Sequence, residues 1–374
     1  MSNNTDSPAK HRVLMIIPSL VVGGAERVMV HLVNNLDRQH FEPILYLDKL
    51  EGGLLTAIHE DVQILDPGKR RGLNKILFLL REIRRHRPHI VFIMMLPIAA
   101  LASRLSGTKA ITILRETVFS PKLEQSSNPF IHWLNRIGVK SCHHVIAPAA
   151  GLKTHLLDWY GLQPNQIEVI NNPVDIRQIR TLAQEPLSFS GAKFNLIAVG
   201  RLTYQKGFDL LIEALASIQD IPWRLRILGE GEQKQSLLQL ASDYNVCKRI
   251  EFLGLRYNPY SYMAHSDLLI LPSRWEGFPN VLLEAMACGV PVLATRCPTG
   301  PDEIITAGIN GELCDIEPKS IAAAVSKLYT DRDATKQLAI VASERIKRFD
   351  LANILEQYEA FLKNKCVCSV GRFE

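Results

Sequence analysis

The sequence predicts an α/β protein built from two doubly wound parallel sheets, and three observations carry that reading. Short apolar runs alternate with helix-period segments, the pattern of parallel strands joined by crossover helices. The alternation lapses once, between residues 170 and 192, and then restarts. At 374 residues the chain has about twice the length of an ordinary domain. Two domains imply a cleft.

The elements follow in order. The first half offers strands at VLMIIPS, EPILYL, VQIL, HIVFIMM, AITIL and HVIAP. Between the first two, GGAERVMVHLVNNL places Val28, Leu32, Val33 and Leu36 on one side and reads as a helix. INNPVDI and the polar stretch 184–192, interrupted by Pro173 and Pro186, mark the join. The second half restarts at FNLIAVG and continues through LRILG, IEFLG, LLILP and PVLAT. A last long helix, residues 351–365, comes after the second sheet is complete and is expected to pack back on the first domain. The expected units are 1–175, 176–350, and a C-terminal helix and tail, 351–374.

Composition bounds the class. With 47% hydrophobic and 22% charged residues the chain has ample material for packed cores. A formal charge of +5 is a small excess and argues only weakly for anionic partners; no nucleic-acid partner is expected. Seven cysteines, at 142, 247, 288, 297, 314, 366 and 368, lack metal-ligand spacing and suit reduced thiols in a cytosolic protein. The opening MSNNTDSPAKHR is polar and reads as no signal peptide. VFIMMLPIAALASRL falls short of the roughly 20 residues that span a bilayer.

Charge placement says more than net charge. KRRGLNKILFLLREIRRHR, from Lys69 at its start to Arg87 at its end, sets many cations among Leu73, Ile76, Leu77, Leu80 and Ile83 at helical spacing. It reads either as a solvated face packed on its own domain or as a contact for anionic lipid headgroups.

Three groups of residues could carry chemistry. Gly23 and Gly24 follow the first strand and precede a helix, at the carboxyl edge where ligands bind and helix N-termini offer free N–H groups. The G-G-x-E form lacks the G-x-G-x-x-G spacing of a dinucleotide fold, so an ordinary tight turn stays open. Arg201 and Lys206 leave the first strand of the second sheet in GRLTYQKGFDLLIEALA, where a diphosphate would be their natural guest; solvated loop cations are the alternative. In SRWEGFPNVLLEAMACGVPVLAT, Glu276 lies in a loop at the carboxyl edge and Glu284 is expected in the first turn of the next helix. There a carboxylate accepts from vicinal hydroxyls, or simply complements the helix dipole.

These residues carry a resemblance. E-x7-E in EGFPNVLLEAMACGVPVLAT, with GRLTYQKGFDLLIEA, the GGAERV opening and CPTGPDEIITAGINGEL, is similar to the family-4 retaining glycosyltransferases of the GT-B fold, two Rossmann-like domains facing a cleft. The likeness runs from about residue 13 to 348 and is looser in the first half. It implies a nucleotide-sugar donor in the second domain and the acceptor in the first. Arg201 and Lys206 would then neutralise the donor diphosphate, Glu276 would accept hydroxyls of the transferred sugar, and Glu284 would hold the ribose. Backbone groups of Phe278, Pro279 and Asn280 would lie near sugar and phosphate, Gly254 near the base, and Gly23 and Gly24 at the phosphates.

The implied reaction is metal-independent transfer from a nucleotide diphosphate sugar, expected to be a UDP-sugar, to a glycan or lipid-linked glycan. Departure of the diphosphate builds negative charge that preorganised cations stabilise, and front-face retention needs no enzyme nucleophile. The chain holds one D-x-D, Asp331 and Asp333, read as a solvated loop. Where many relatives carry a histidine, ITILRETVFS has Arg115, Glu116 and Thr117. Glu116 is the candidate for the acceptor hydroxyl, and Arg115 either binds an acceptor charge or pairs with Glu116. His143 and His144 are read as packing or capping residues. Competing functions are an epimerase or phosphorylase on the same fold and a non-catalytic nucleotide-sugar scaffold. The expected location is cytoplasmic, peripheral at the inner membrane face, with a hinge in residues 172–176.

Overall fold

The computed structural model describes residues 10–21, 23–116, 129–187 and 194–370, the side chains of 129–131 and 367–370 excepted. The opening polar segment to residue 9, Thr117, the stretch 188–193 and the side chain of Cys368 lie outside the described residues. The chain divides into two compact units, Met1–Pro173 with Ala352–Glu374, and Val174–Leu351.

The first unit is a parallel sheet of β1 (His11–Ile17), β2 (Phe41–Leu47), β3 (Gln63–Leu65), β4 (Ile90–Met94), β5 (Ile111–Arg115), β6 (His144–Ala147) and β7 (Ile167–Val169). Its order is β3-β2-β1-β4-β5-β6-β7. Leu14 of β1 lies opposite both Ile44 and Val91, so the central strand is enclosed on both sides. Helices cover both faces of such a sheet, which is why β1 and β4 read as continuous apolar runs. The C-terminal helix, Leu351–Val370, sends Ile354, Tyr358, Leu362 and Cys366 into this core beside Val13, Phe92 and Ile113. The four residues are spaced four apart, one face of a helix. The expected return of this helix to the first sheet therefore holds.

The second unit is a parallel sheet of β8 (Phe194–Val199), β9 (Trp223–Leu228), β10 (Ile250–Gly254), β11 (Leu268–Leu271), β12 (Val292–Thr295) and β13 (Glu312–Cys314), in the order β10-β9-β8-β11-β12-β13. Leu211, Ile212 and Leu215 from the helix Phe208–Ala216, with Ile321, Val325 and Leu328 from Pro318–Thr330, close the core over Leu196, Leu225 and Leu268. Two strands were not foreseen. β7 and β13 are three residues long, IEV and ELC, and such edge strands carry no apolar run to announce them.

In both sheets every pairing is parallel, so all strands of a sheet end on one edge. The chain reverses direction of winding beside β1 and β4 in the first sheet and beside β8 and β11 in the second. At such a reversal the connecting helices leave to opposite faces and open a crevice beyond the strand ends. The loops after β8 and β11 are therefore where the second unit is built to receive a ligand.

Candidate functional site

Two loops flank that crevice. One runs from Gly200 to the helix Phe208–Ala216 and carries Arg201 and Lys206; the other runs from Pro272 to the helix Asn280–Ala287 and carries Glu276. The Lys206 ammonium donates to Glu276 Oε1 at 2.6 Å, across 70 positions of sequence. Glu276 is only 4% exposed. Ser273 Oγ donates to the same carboxylate oxygen at 2.6 Å, and the Thr299 hydroxyl donates to the backbone carbonyl of Glu276. A buried carboxylate needs such partners, because desolvation alone would cost several kcal/mol. An ammonium carries three donors. With one of them on Glu276, Lys206 retains capacity for anionic oxygens.

The pair is held by a clamp between the same two loops. Arg274 forms a bidentate pair with Asp209, Nη1 to Oδ1 at 2.8 Å and Nη2 to Oδ2 at 2.5 Å. Its Nη1 also donates to the Tyr204 carbonyl at 2.8 Å, and its guanidinium lies 3.9 Å from the centre of the Tyr204 ring. The Arg274 N–H donates to the Gln205 carbonyl at 2.8 Å, and Gln205 Nε2 returns to the Trp275 carbonyl at 3.0 Å. Burial pushes the Asp209 carboxyl up, but the hydrogen bond and charge of Arg274 outweigh it and leave Asp209 below the usual range. Gly207, at φ +65°, comes so close to Pro272 that a Cβ would collide with its carbonyl oxygen. Only glycine fits there, and that approach sets Lys206 beside Glu276.

The other expected residues of the second unit end or follow β8, β10 and β11, on the same carboxyl edge. Arg201 is exposed, and its guanidinium has no partner among the described residues. Glu284 corrects an expectation. It is the fifth residue of its helix, beyond the first turn, and 8% exposed, so complementing the helix dipole does not account for it. The backbone of Phe278, Pro279 and Asn280 enters that helix, and the Phe278 ring packs on Phe349 with centroids 5.6 Å apart. Gly300 lies against Gly277, Phe278 and Pro279 at φ +95°, fixing the turn. Gly254 ends β10 at φ +70°, its carbonyl accepting from the Gly229 N–H at 2.9 Å. Burial, with Glu276 adding, pushes the Cys297 thiol up to about 12, so it stays protonated at neutral pH.

In the first unit, Gly23 caps the helix Gly24–Asn35, whose first turn holds Glu26. The Glu26 carboxylate folds back against Gly23, where a side chain would collide with it. Sequence reasoning missed this acid, although G-G-x-E contained it. Glu116 follows β5 and is half-buried. Arg115 departs from both roles expected of it. It is 1% exposed, its Nε donates to the Tyr358 hydroxyl at 2.6 Å, and its Nη2 donates to Asn172 Oδ1. The side chain ties β5 to the C-terminal helix.

The D-x-D also has a local account. Asp331 caps the helix Arg332–Arg345 by accepting from the Ala334 N–H at 3.0 Å, and Asp333 is solvated. Among the described residues no group of His, Cys, Asp and Glu side chains could hold a metal ion. The cavity bounded by Asp267, Pro291, Arg332 and Glu344 opens at the amino edge of the second sheet, away from these loops. Ser273, Thr299, Asp209 and Arg274 were not singled out from sequence. Only their position just beyond the ends of β8, β11 and β12 could have found them.

Both halves of the chain match families of known proteins. The family described as Glycosyl transferases group 1 matches residues 180–345, and that described as Glycosyltransferase Family 4 matches residues 22–178. An N-acetyl-alpha-D-glucosaminyl L-malate synthase of Bacillus anthracis is 30% identical over 273 residues, 70% of each chain. The N-acetylgalactosamine-N,N'-diacetylbacillosaminyl-diphospho-undecaprenol 4-alpha-N-acetylgalactosaminyltransferase of Campylobacter jejuni is 28% identical over 355 residues, 91% of this chain and 96% of that one. Among solved structures, Anabaena HepE in complex with UDP and glucose superposes with a TM-score of 0.80 at 21% identity, covering 95% of this chain and 100% of that one. With both halves matched, the two-sheet fold reproduced and the Lys206–Glu276 pair at the second reversal, the chain belongs to the family-4 retaining glycosyltransferases of the GT-B fold.

Proposed function

We propose that this glycosyltransferase moves a sugar from a UDP-sugar to a glycan or lipid-linked glycan, with the donor held in the second unit and the acceptor in the first. The observation that carries the proposal is the Lys206–Glu276 pair between the loops after β8 and β11. Arg201 and Lys206 neutralise the diphosphate as it departs. Glu276 accepts from hydroxyls of the transferred sugar and Glu284 from the ribose. The N–H groups entering the helix at Phe278, Pro279 and Asn280 lie near sugar and phosphate, and Gly254 lets the backbone approach the base. In the first unit, Gly23 and Gly24 approach the phosphates, and Glu116 receives the proton of the acceptor hydroxyl.

The physics favours this allocation. Loss of the diphosphate concentrates negative charge on phosphate oxygens while the sugar becomes oxocarbenium-like. Fixed cations lower that barrier most when their positions are set before the reaction, as the Arg274–Asp209 clamp sets Lys206. The anionic partner on Lys206 also keeps the ammonium in place without requiring a metal. Two relatives support the acceptor class: one acts on a diphospho-undecaprenol-linked glycan and another is a lipopolysaccharide 1,6-galactosyltransferase of Escherichia coli. We place the enzyme in the cytoplasm, peripheral at the inner membrane face through the basic segment 69–87. Among the described residues no helix is long and apolar enough to cross a membrane.

A thermal-shift series tests the donor. UDP-sugar at a hundred times its dissociation constant adds roughly 2.7 kcal/mol to the second unit, while GDP- and ADP-sugars at the same concentration add less. An equal response to all three bases removes the UDP assignment. Product analysis with and without an acceptor glycan separates transfer from epimerisation, which needs no acceptor.

A further inference from the structure

The membrane contact proposed above treats residues 69–87 as one basic surface, but the structure divides it. The helix is Leu73–His86, and its exposed positions are Leu73, Asn74, Leu77, Arg81, Arg84 and Arg85. The first two turns thus turn leucine to solvent, Leu73 at 68% and Leu77 at 52% exposure, where a solvated helix face carries polar residues. Of the arginines in the last two turns, Arg84 and Arg85 are engaged by the protein, while Arg81 stays exposed. Arg84 donates through Nε to the Ser106 carbonyl at 2.9 Å and through Nη2 to the Leu105 carbonyl at 3.3 Å. Arg85 lies 3.8 Å from the buried carboxylate of Glu82, which His86 approaches at 3.3 Å.

The leucine end has a definite place in the fold. It follows β3, so it sits at the carboxyl edge of the first sheet. Lys75 fixes it there by pairing with Asp48, the residue after β2, at 2.6 Å. On the same edge Val21 after β1, Leu50 after β2 and Met95 after β4 are also exposed large apolar side chains. The loops bearing the first two are tied together, the Leu20 N–H donating to the Glu51 carbonyl at 3.0 Å. Lys69 and Arg71 precede the helix, exposed and without side-chain partners among the described residues. This is also the edge that holds Gly23, Gly24 and Glu116.

We propose that this apolar and cationic rim, rather than the arginine-rich end of the helix, is the surface that enters the headgroup zone of an anionic bilayer. Leu73, Leu77 and Leu50 bury in the acyl boundary while Lys69 and Arg71 meet lipid phosphates. Projecting apolar side chains at a helix start and on the loops at the same edge, with unpaired cations just before the helix, suit a fluid interface of headgroups and chains. The geometry brings a lipid-linked acceptor to the sheet edge where its glycan is to be received. The inference rests on the acceptor reading above and deepens it.

Sedimentation of the full chain with vesicles tests it, using phosphatidylglycerol mixed with phosphatidylcholine and phosphatidylcholine alone. Leu73→Ser/Leu77→Ser should lower binding about tenfold or more at any salt, from the loss of buried apolar area, and Leu50→Ser should lower it independently. Lys69→Gln/Arg71→Gln should weaken binding to anionic vesicles only, and the difference should vanish at high salt. Arg84→Gln/Arg85→Gln should retain binding, with melting temperature checked for every variant. Retained binding in the leucine variants, loss confined to the arginine variant, or wild-type protein left in the supernatant would overturn the proposal. Nucleoside diphosphate release on a soluble acceptor without vesicles reports separately on the transfer reaction, so the two readings fail independently.

Discussion

Replacing Lys206 by methionine keeps the length of the side chain and removes its charge, which isolates what the ammonium does. The side chains of Lys206 and Glu276 are 16% and 6% exposed, so the substitution leaves a carboxylate desolvated without its cation. Breaking a buried pair in this way costs about 3–5 kcal/mol. The Ser273 hydroxyl still donates to Glu276, which places the expected loss near the lower bound, about 3 kcal/mol. For a unit of this size that corresponds to a fall of about 6–12 °C in the melting temperature, read by scanning calorimetry. Lys206→Met/Glu276→Gln removes the stranded charge and should recover most of the loss. Turnover should behave differently, falling about 10²–10³-fold in the single variant when measured below its transition, without recovery in the double. The reasoning fails if Lys206→Met melts with wild type, or if turnover returns along with stability.

Further predictions follow from the same contacts. Arg274→Met should lower stability by about 1 kcal/mol, a figure discounted because Asp209 is a third exposed and screened by solvent, and should reduce kcat by displacing Lys206 while thermal shift shows the fold intact. Because Asp209 titrates below its ordinary value in the folded protein, its stabilisation is complete above the unfolded pKa near 4 and is lost as pH falls through the lower folded value. The stability gap between wild type and Asp209→Asn should therefore close in strong acid, as urea titrations at successive pH values would record. Gly207→Ala meets both a positive φ and the Pro272 carbonyl, and should lose about 2 kcal/mol or more with most of the turnover. Tyr358→Phe removes the acceptor from buried Arg115 Nε and should destabilise the first unit by about 1–3 kcal/mol in denaturant unfolding, leaving nucleotide binding unchanged.

Most of the fold was legible because a buried parallel strand declares itself as an apolar run, as β1, β2, β4, β8 and β11 do. β7 and β13 were not, since IEV and ELC each spend one of three residues on an acid, whereas the equally short β3 ends the readable run VQIL. The loop residues Lys206 and Glu276 could be assigned to a carboxyl edge from the strand before each. That they meet could not be read locally, because it depends on β8 pairing with β11 across the reversal of winding. Arg115 shows the opposite failure. An arginine ending a strand reads as a polar loop residue, yet its partner Tyr358 lies 243 positions away on a helix whose docking buries them both. Glu284 was assigned to the first turn although the helix begins at Asn280, as expected; the fifth residue from that start lies beyond one turn of 3.6 residues.

The clamp explains why two motifs so far apart in the chain act as one. A cation that serves a departing diphosphate must be stationary before the charge develops, since reorganising it during the reaction forfeits much of its effect. Lysine is poorly suited to this on its own, having four rotatable carbons and a strongly hydrated head. Here its mobility is removed from both ends: Gly207 presses the backbone against Pro272, and Glu276, itself held by Ser273 and by the Thr299 contact to its carbonyl, anchors the ammonium. The more rigid, bidentate guanidinium of Arg274 then fastens the two loops outside the reacting groups, where its own charge is already matched by Asp209. On the role proposed for Lys206, such a division leaves the flexible cation for the ligand and the planar one for the scaffold, and exchanging the two, Lys206→Arg with Arg274→Lys, should fold with the clamp loosened and lose turnover despite an unchanged net charge.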